Sequence, residues 1–283
     1  MMASARAYGV LTGCISTIRF GNCAMAAFAG LLAAVICSSV ETVVESAFDV
    51  LASMVILAAF VGAGNSMNDY FDRELDRTAH PSRPIPRGLI SPRTALMMAT
   101  VLFAVSIGLS LTVGVVAFVI VVTSLGVILA YELLLKSEGL VGNLAISWLT
   151  AALFLFGGAA VDGMELAWIL AALAFFATLG REIVKDIQDL EGDAQSRKTL
   201  PMRLGRRNAG IVASVALSAA VILSPAPYLL SLLSVWYVPF LAVADTVFIY
   251  SAMIHFAAPE QGQKTIKIAM LFALVAFLVG GIA

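Results

Sequence analysis

Nine stretches of this chain are apolar for long enough to cross a bilayer, and that repetition constrains the fold more than any other feature. A membrane-spanning helix needs about 20 predominantly apolar residues, and windows near that length lie at roughly 18–39, 48–67, 94–111, 113–131, 141–160, 165–183, 208–224, 229–255 and 265–282. Of the 283 residues 61% are hydrophobic and only 12% charged, against about 25% charged in a soluble domain, and the mean hydropathy is +0.98. The expected fold is all-α: a polytopic membrane protein with nine transmembrane helices, forming one domain over residues 1–283. Arg6, Gly13, Cys14 and Arg19 precede the first long apolar run, a pattern that suits a first membrane span better than a cleaved signal peptide. Cys14, Cys23 and Cys37 are odd in number and lack metal-ligand spacing, which points to neither a disulfide framework nor zinc.

The helix count can be tested against charge, because Lys and Arg collect in cytoplasmic loops. The net charge of −1 carries no such information; its distribution does. Nine spans threaded from a cytoplasmic N-terminus put all 17 basic residues on one face. Arg6 and Arg19 precede the first span, and Arg73, Arg77, Arg83, Arg87 and Arg93 follow the second. Lys136 follows the fourth, and Arg181, Lys185, Arg197, Lys198, Arg203, Arg206 and Arg207 surround the loop after the sixth; Lys264 and Lys267 follow the eighth. The opposite connections hold Glu41, Glu45, Asp49, Asp162 and Glu165, with no Lys or Arg. The expectation is a cell-membrane protein with N-terminus and active site cytoplasmic and C-terminus outside.

Against this background, residues 65–86, NSMNDYFDRELDRTAHPSRPIP, stand out as polar. Asp69, Asp72 and Asp76 recur at i, i+3 and i+7, which on a continuous helix places the three carboxylates within about 60° of one another. Residues 181–193, REIVKDIQDLEGD, repeat the spacing with Asp186, Asp189 and Asp193. Both clusters fall at the cytoplasmic ends of spans, the second and the sixth. A polar loop at a membrane edge is ordinarily just solvated, but positive-inside bias gives no reason for six aspartates at a repeated spacing. Clustered carboxylates repel unless a cation sits among them. Oxygen ligands suit Mg²⁺, which commonly takes one or two carboxylates and completes its shell with water and substrate phosphate. Interleaved Arg and Lys suit phosphate oxygens. Together they predict a diphosphate bound through Mg²⁺, with an apolar tail running among the helices.

At these residues the sequence resembles the UbiA superfamily of intramembrane prenyltransferases over nearly its whole length. The superfamily's Asn-Asp-x-x-Asp-x-x-x-Asp motif is matched by Asn68, Asp69, Asp72 and Asp76, followed by Arg83-Pro84-Ile85-Pro86. The second motif is matched by Asp186, Asp189 and Asp193, preceded by Glu182 and followed by Lys198-Thr199-Leu200-Pro201. A Tyr/Lys loop element is similar at Tyr131 and Lys136, with Gly142-Asn143 behind it, as is the segment from Arg19 to Asn22. The resemblance implies nine helices around a central cavity and metal-assisted ionisation of an isoprenyl diphosphate, whose allylic cation an acceptor captures. It implies metal and diphosphate binding by Asn68, Asp69, Asp72, Asp76, Glu182, Asp186, Asp189 and Asp193. Eight groups exceed what two ions need, so Asn68, Asp72, Asp189 and Asp193 rank first for a direct role, while Asp76 and Asp186 are candidates for orienting neighbouring arginines. Tyr131 and Lys136 join the catalytic set, and Arg19, Asn22, Arg83, Arg87, Lys136, Asn143 and Lys198 are the substrate-binding candidates.

The wording of both motifs is most similar to the archaeal ether-lipid branch of the superfamily. That likeness implies geranylgeranyl diphosphate as donor and geranylgeranylglyceryl phosphate, a lipid-like phosphate, as acceptor, with membrane lipid as surroundings and no nucleic acid. Aromatic, quinone-precursor and tetrapyrrole acceptors are the alternatives within the superfamily; a transporter is the alternative outside it. His80 and Arg87 stand where related sequences more often carry Asn and Ser, and Gln195-Ser196-Arg197 lacks the usual glycine. Arg87 is either an extra cation for the acceptor's phosphate or an ordinary edge charge. Asp245, inside the eighth span, calls for a partner on a neighbouring helix or a place in a cavity wall, and His255 is expected at the interface.

Overall fold

The computed structural model describes residues 2–136, 138–190 and 198–282, with side chains from Gly9 onward. Asp193 and the Gln195-Ser196-Arg197 loop lie outside the described residues. Within them, all regular structure is helical, and nine helices are long and apolar enough to cross a membrane. These are α1 (Phe20–Cys37), α2 (Ala47–Phe71), α3 (Pro92–Val113), α4 (Val115–Ala130), α5 (Leu140–Ala159), α6 (Met164–Gln188), α7 (Arg206–Leu223), α8 (Tyr237–Ile254) and α9 (Pro259–Ile282). The nine windows of the sequence correspond one to one. Local chemistry sets the boundaries. Ser91 Oγ accepts the Thr94 amide at 3.1 Å, with Pro92 at the first position of α3, the capping arrangement that satisfies an orphan helix-start N–H. Gly114, at φ 140°, divides α3 from α4 in a conformation open to glycine.

One helix was not anticipated. Met2–Ile18 precedes α1 and ends at Arg19, whose backbone is left-handed at φ 53° and ψ 67°. Its Gly13 lies against Leu89 and Ile90 in the loop before α3.

Each span packs on its sequence neighbours, and α9 returns to α1, so the spans close into a ring. Contacts of α1 with α5 and of α6 with α9 cross its middle. Accordingly α5 and α6 are the most enclosed spans, 50% and 56% buried, while the others turn most of their surface outward with side chains such as Phe48, Val115 and Met253. Small residues permit the central crossings. A Cβ at Gly157 of α5 would run into Ala33 Cβ and the Gly30 carbonyl oxygen of α1, so the two backbones touch, as close helix packing in lipid favours.

The helix ends segregate. At one end residues 37–39, 162–163, 165–166, Leu232 and Gly281 meet. At the other, Arg19, Asp69, Asp72 and Lys136 are linked through Asn68, and Asn143 meets Asp186, by side-chain contacts described below. Asp245 both receives a 2.8 Å hydrogen bond from Ser224 Oγ and lines a cavity of about 90 Å³ with Phe154, Leu241 and Met270. His255, at the C-cap of α8, is buried within the protein, with Nε2 3.0 Å from Ser214 Oγ and its ring stacked on Phe256. Burial lowers its pKa, because desolvation disfavours the imidazolium.

Candidate active site

The acidic stretch does not form one continuous helix. α2 stops at Asp72, its C-cap at φ −83° and ψ 1°, and a separate short helix, Arg73–Ala79, follows. The three carboxylates of the motif take different partners. Asp69 and Asp76 are buried and share Arg83, whose Nη1 lies 3.7 Å from Asp69 Oδ1 and 2.6 Å from Asp76 Oδ2. Asp69 also holds Arg19 Nη2 at 2.7 Å. Asp72 turns instead to Lys136, whose ammonium reaches its two oxygens at 2.6 and 2.7 Å. Three like charges on one helix face repel; here each has a cation of its own or shares one.

Arg19 reaches the site through the left-handed break between Met2–Ile18 and α1. Asn65 secures that break: its Nδ2 donates to the Ile18 carbonyl at 2.9 Å, and its Oδ1 accepts from Arg19 Nη1 at 3.2 Å. Arg19 Nη2 further donates to Asn68 Oδ1 at 3.4 Å. A left-handed non-glycine residue costs energy, and here the result is a guanidinium bridging Asn65, Asn68 and Asp69.

α4 ends in a π-helical turn, Tyr131–Leu135, closed by the Lys136 amide on the Tyr131 carbonyl at 2.9 Å. On an α-helix residues five apart point about 140° away from each other; an i→i+5 turn stacks them, so Tyr131 and Lys136 come to one side. Glu132, in the same turn, is 4% exposed at its side chain. It accepts from Asn68 Nδ2 at 3.0 Å and from Lys136 Nζ at 3.1 Å. Asn68 Nδ2 also donates to Asp72 Oδ2 at 3.1 Å.

The second motif is built in parallel. Asp189 is the C-cap of α6 at φ −90° and ψ 8°, nearly the conformation of Asp72. Asp186 accepts from Asn143 Nδ2 at 2.9 Å, which ties α6 to the start of α5, and Glu182 pairs with Arg181. Gly139, at φ 55°, is appressed to the backbone of residues 198–200, where a side chain would collide. Arg203 meets Glu138 beside it at 2.7 Å.

A cavity of about 430 Å³ opens beneath the first motif. Arg19, Asn65, Asn68, Tyr131 and Glu132 form its polar head; Phe60, Ile120, Leu149 and Phe156 are among its apolar walls. Of the sequence candidates, Arg19, Asn68 and Tyr131 line it directly, and Asp72 and Lys136 adjoin through hydrogen bonds. Asn22, Arg87 and Lys198 are exposed and outside its lining. Asn65 and Glu132 were not singled out from sequence. The available signals were slight: Glu132 lies four residues before Lys136, the spacing of a helical ion pair, and Asn65 three before Asn68.

The donor set fits a hard divalent cation. Two helix C-termini, whose carbonyl ends carry partial negative charge, each add a capping carboxylate, Asp72 and Asp189. Such an arrangement favours cations, and carboxylate and amide oxygens suit Mg²⁺. Among the described residues no three His, Cys, Asp or Glu side chains are grouped to hold an ion by themselves, so substrate oxygens would have to complete a coordination shell.

Residues 23–278 match the UbiA prenyltransferase family. The chain belongs to that family. It is 39% identical to the digeranylgeranylglyceryl phosphate synthase of Natronomonas pharaonis over 273 residues, 96% of this chain and 97% of the relative. It is also 39% identical to the protein of the same name from Methanococcoides burtonii over 276 residues, 94% and 98% of the two chains. A solved structure concerned with digeranylgeranylglyceryl phosphate synthase in membranes superposes with a TM-score of 0.88 at 32% identity, covering 96% of this chain and 99% of the other. The fold is shared more distantly with a UbiA homologue from Archaeoglobus fulgidus bound to GPP and Mg²⁺, with a TM-score of 0.62 at 16% identity over 94% of this chain and 99% of that one. The protein is thus a multi-pass membrane prenyltransferase of the UbiA family, and the transporter alternative is set aside.

Proposed function

We propose that this UbiA-family enzyme, folded as a single domain, transfers the geranylgeranyl group of geranylgeranyl diphosphate to geranylgeranylglyceryl phosphate, forming the second ether bond of archaeal membrane lipid. The observation that carries the chemistry is the polar head on an apolar cavity: Arg19, Asn68 and Glu132 meet Phe60, Ile120 and Phe156 around one space. The acceptor and donor follow from relatives of that activity at 39% identity over almost the full chain. In the reaction the allylic C–O bond breaks, the acceptor hydroxyl oxygen bonds to the freed carbon, and diphosphate and a proton leave.

Asn68, Asp72 and Asp189, with Asp193 of the same motif, would hold Mg²⁺, which when bound neutralises the diphosphate and the charge developing on it. Arg19 and Lys136 offer N–H donors to that leaving group. The apolar wall holds the prenyl chain and keeps water from the allylic cation. Tyr131 stands at the same mouth. Asp69, Asp76 and Asp186, engaged by Arg19, Arg83 and Asn143, hold the donors in place, and Arg83 acts through them. Arg87, Asn22 and Lys198, exposed and outside the cavity lining, are offered as contacts for an acceptor arriving from the bilayer.

Product analysis tests this reading. Purified enzyme with Mg²⁺ and both substrates is expected to yield the doubly prenylated glyceryl phosphate by mass spectrometry; an inert glyceryl acceptor beside a reactive aromatic one would reject the assignment. The positive-inside pattern supports a cytoplasmic position for this active end in the cell membrane, with the C-terminus outside. A cysteine replacing Lys198, in a variant lacking Cys14, Cys23 and Cys37, is expected to escape an impermeant thiol reagent in intact cells and to react after lysis; labelling of intact cells would reverse the orientation.

A further inference from the structure

We infer that Glu132 is a positioning residue of this site, setting the orientation of the Asn68 amide and anchoring the Lys136 ammonium at the cavity mouth. The inference rests on the prenyl-diphosphate reading above.

A carboxylate at the membrane end of a helix, 4% exposed at its side chain, is costly unless it is paired. Glu132 spends its oxygens separately: Oε1 accepts from Asn68 Nδ2 at 3.0 Å and Oε2 from Lys136 Nζ at 3.1 Å. The first contact decides what Asn68 presents. An amide can sit in two orientations related by a half-turn, with its NH₂ and its carbonyl exchanged. Here the NH₂ lies between two carboxylates, Asp72 Oδ2 at 3.1 Å and Glu132 Oε1, and the carbonyl oxygen is directed at the Arg19 guanidinium, 3.4 Å away. A flipped amide would set its oxygen against two anions. Glu132 thereby keeps the Asn68 oxygen, the metal-ligating atom of the proposed set, on the Arg19 side.

The second contact concerns charge. Lys136 is a single cation held by Asp72 and Glu132 together, and its ammonium has three donors. Whatever draws on the oxygens of Asp72, Glu132 still tethers Lys136 beside Tyr131 and the cavity. The π turn makes this possible by carrying Tyr131, Glu132 and Lys136 on one short segment.

The test measures binding of a non-reactive thiodiphosphate analogue of the donor, with Mg²⁺, by calorimetry in detergent, alongside turnover. Outer-shell partners of ligating groups typically contribute 10–100-fold. Glu132→Leu, which removes both contacts, is expected to weaken analogue binding by about 10–100-fold. Glu132→Gln keeps an acceptor for Asn68 but loses the counter-charge of Lys136, and its loss should be smaller. In a Lys136→Met background, Glu132→Gln is expected to change affinity by no more than about twofold, because residues acting through one another are not additive. An undiminished loss in that background, or wild-type affinity in Glu132→Leu, overturns the positioning role while leaving the donor assignment intact. Failure of the wild-type protein to bind the analogue overturns the donor assignment, and the inference with it.

Discussion

Replacing Asp72 with alanine is expected to lower turnover by about 10²–10³-fold, the cost of removing one group that stabilises charge in a transition state, while leaving the fold nearly as stable as before. The two halves of this expectation have separate grounds. Asp72 gathers Lys136 and Asn68 at the head of the apolar cavity, so its loss removes a carboxylate proposed to hold Mg²⁺ and releases the cation beside it. Yet its side chain is 18% exposed and caps a helix C-terminus, where negative charge is unfavourable. Glu132 remains to hold Lys136. Steady-state product formation and a thermal melt of the purified variant check both halves; turnover within tenfold of wild type would remove Asp72 from the chemistry.

Asp69→Ala should behave in the opposite way, with a fold clearly less stable. Asp69 is buried between Arg19 and Arg83, and removing one member of a buried ion network costs about 3–5 kcal/mol. The guanidiniums are 33% and 27% exposed, so water recovers part of that, and about 2–3 kcal/mol is the expected loss. A fall in melting temperature of several degrees would record it. Turnover should fall as well, because Arg19 loses its strongest anchor. A variant that melts like the wild type but is inactive would move Asp69 from scaffold to chemistry. Two neighbouring aspartates of one motif thus separate by experiment into one that works on substrate and one that shapes the site.

Much of the architecture was legible because lipid makes membrane spans simple to read. Apolar length alone located nine helices, and the windows at roughly 48–67 and 165–183 recur as Ala47–Phe71 and Met164–Gln188. The chemical vocabulary was equally plain, since paired acidic motifs amid basic residues specify cations and phosphate whatever their geometry. The helix Met2–Ile18 escaped notice because its pattern is too short for a span. The burial of His255 at its span's end was equally illegible, because it depends on the approach of Ser214, Gly210 and Gly262 from other helices.

What the sequence by itself determined is the list of helices, the grouping of their polar ends, and the residue types at those ends. All three follow from local hydrophobicity and spacing, which need no knowledge of who lies next to whom. Only the tertiary structure decided which carboxylate meets which cation. The i, i+3, i+7 pattern predicts three aspartates on one face, but α2 ends at Asp72. Asp69 and Asp76 meet Arg83 and Asp72 meets Lys136, a residue 64 positions away. Glu132 gained its place in the same way, through contacts made by a π turn against a distant helix end. Pairing between remote charges depends on distances of a few ångströms set by packing, and no spacing along the chain encodes them.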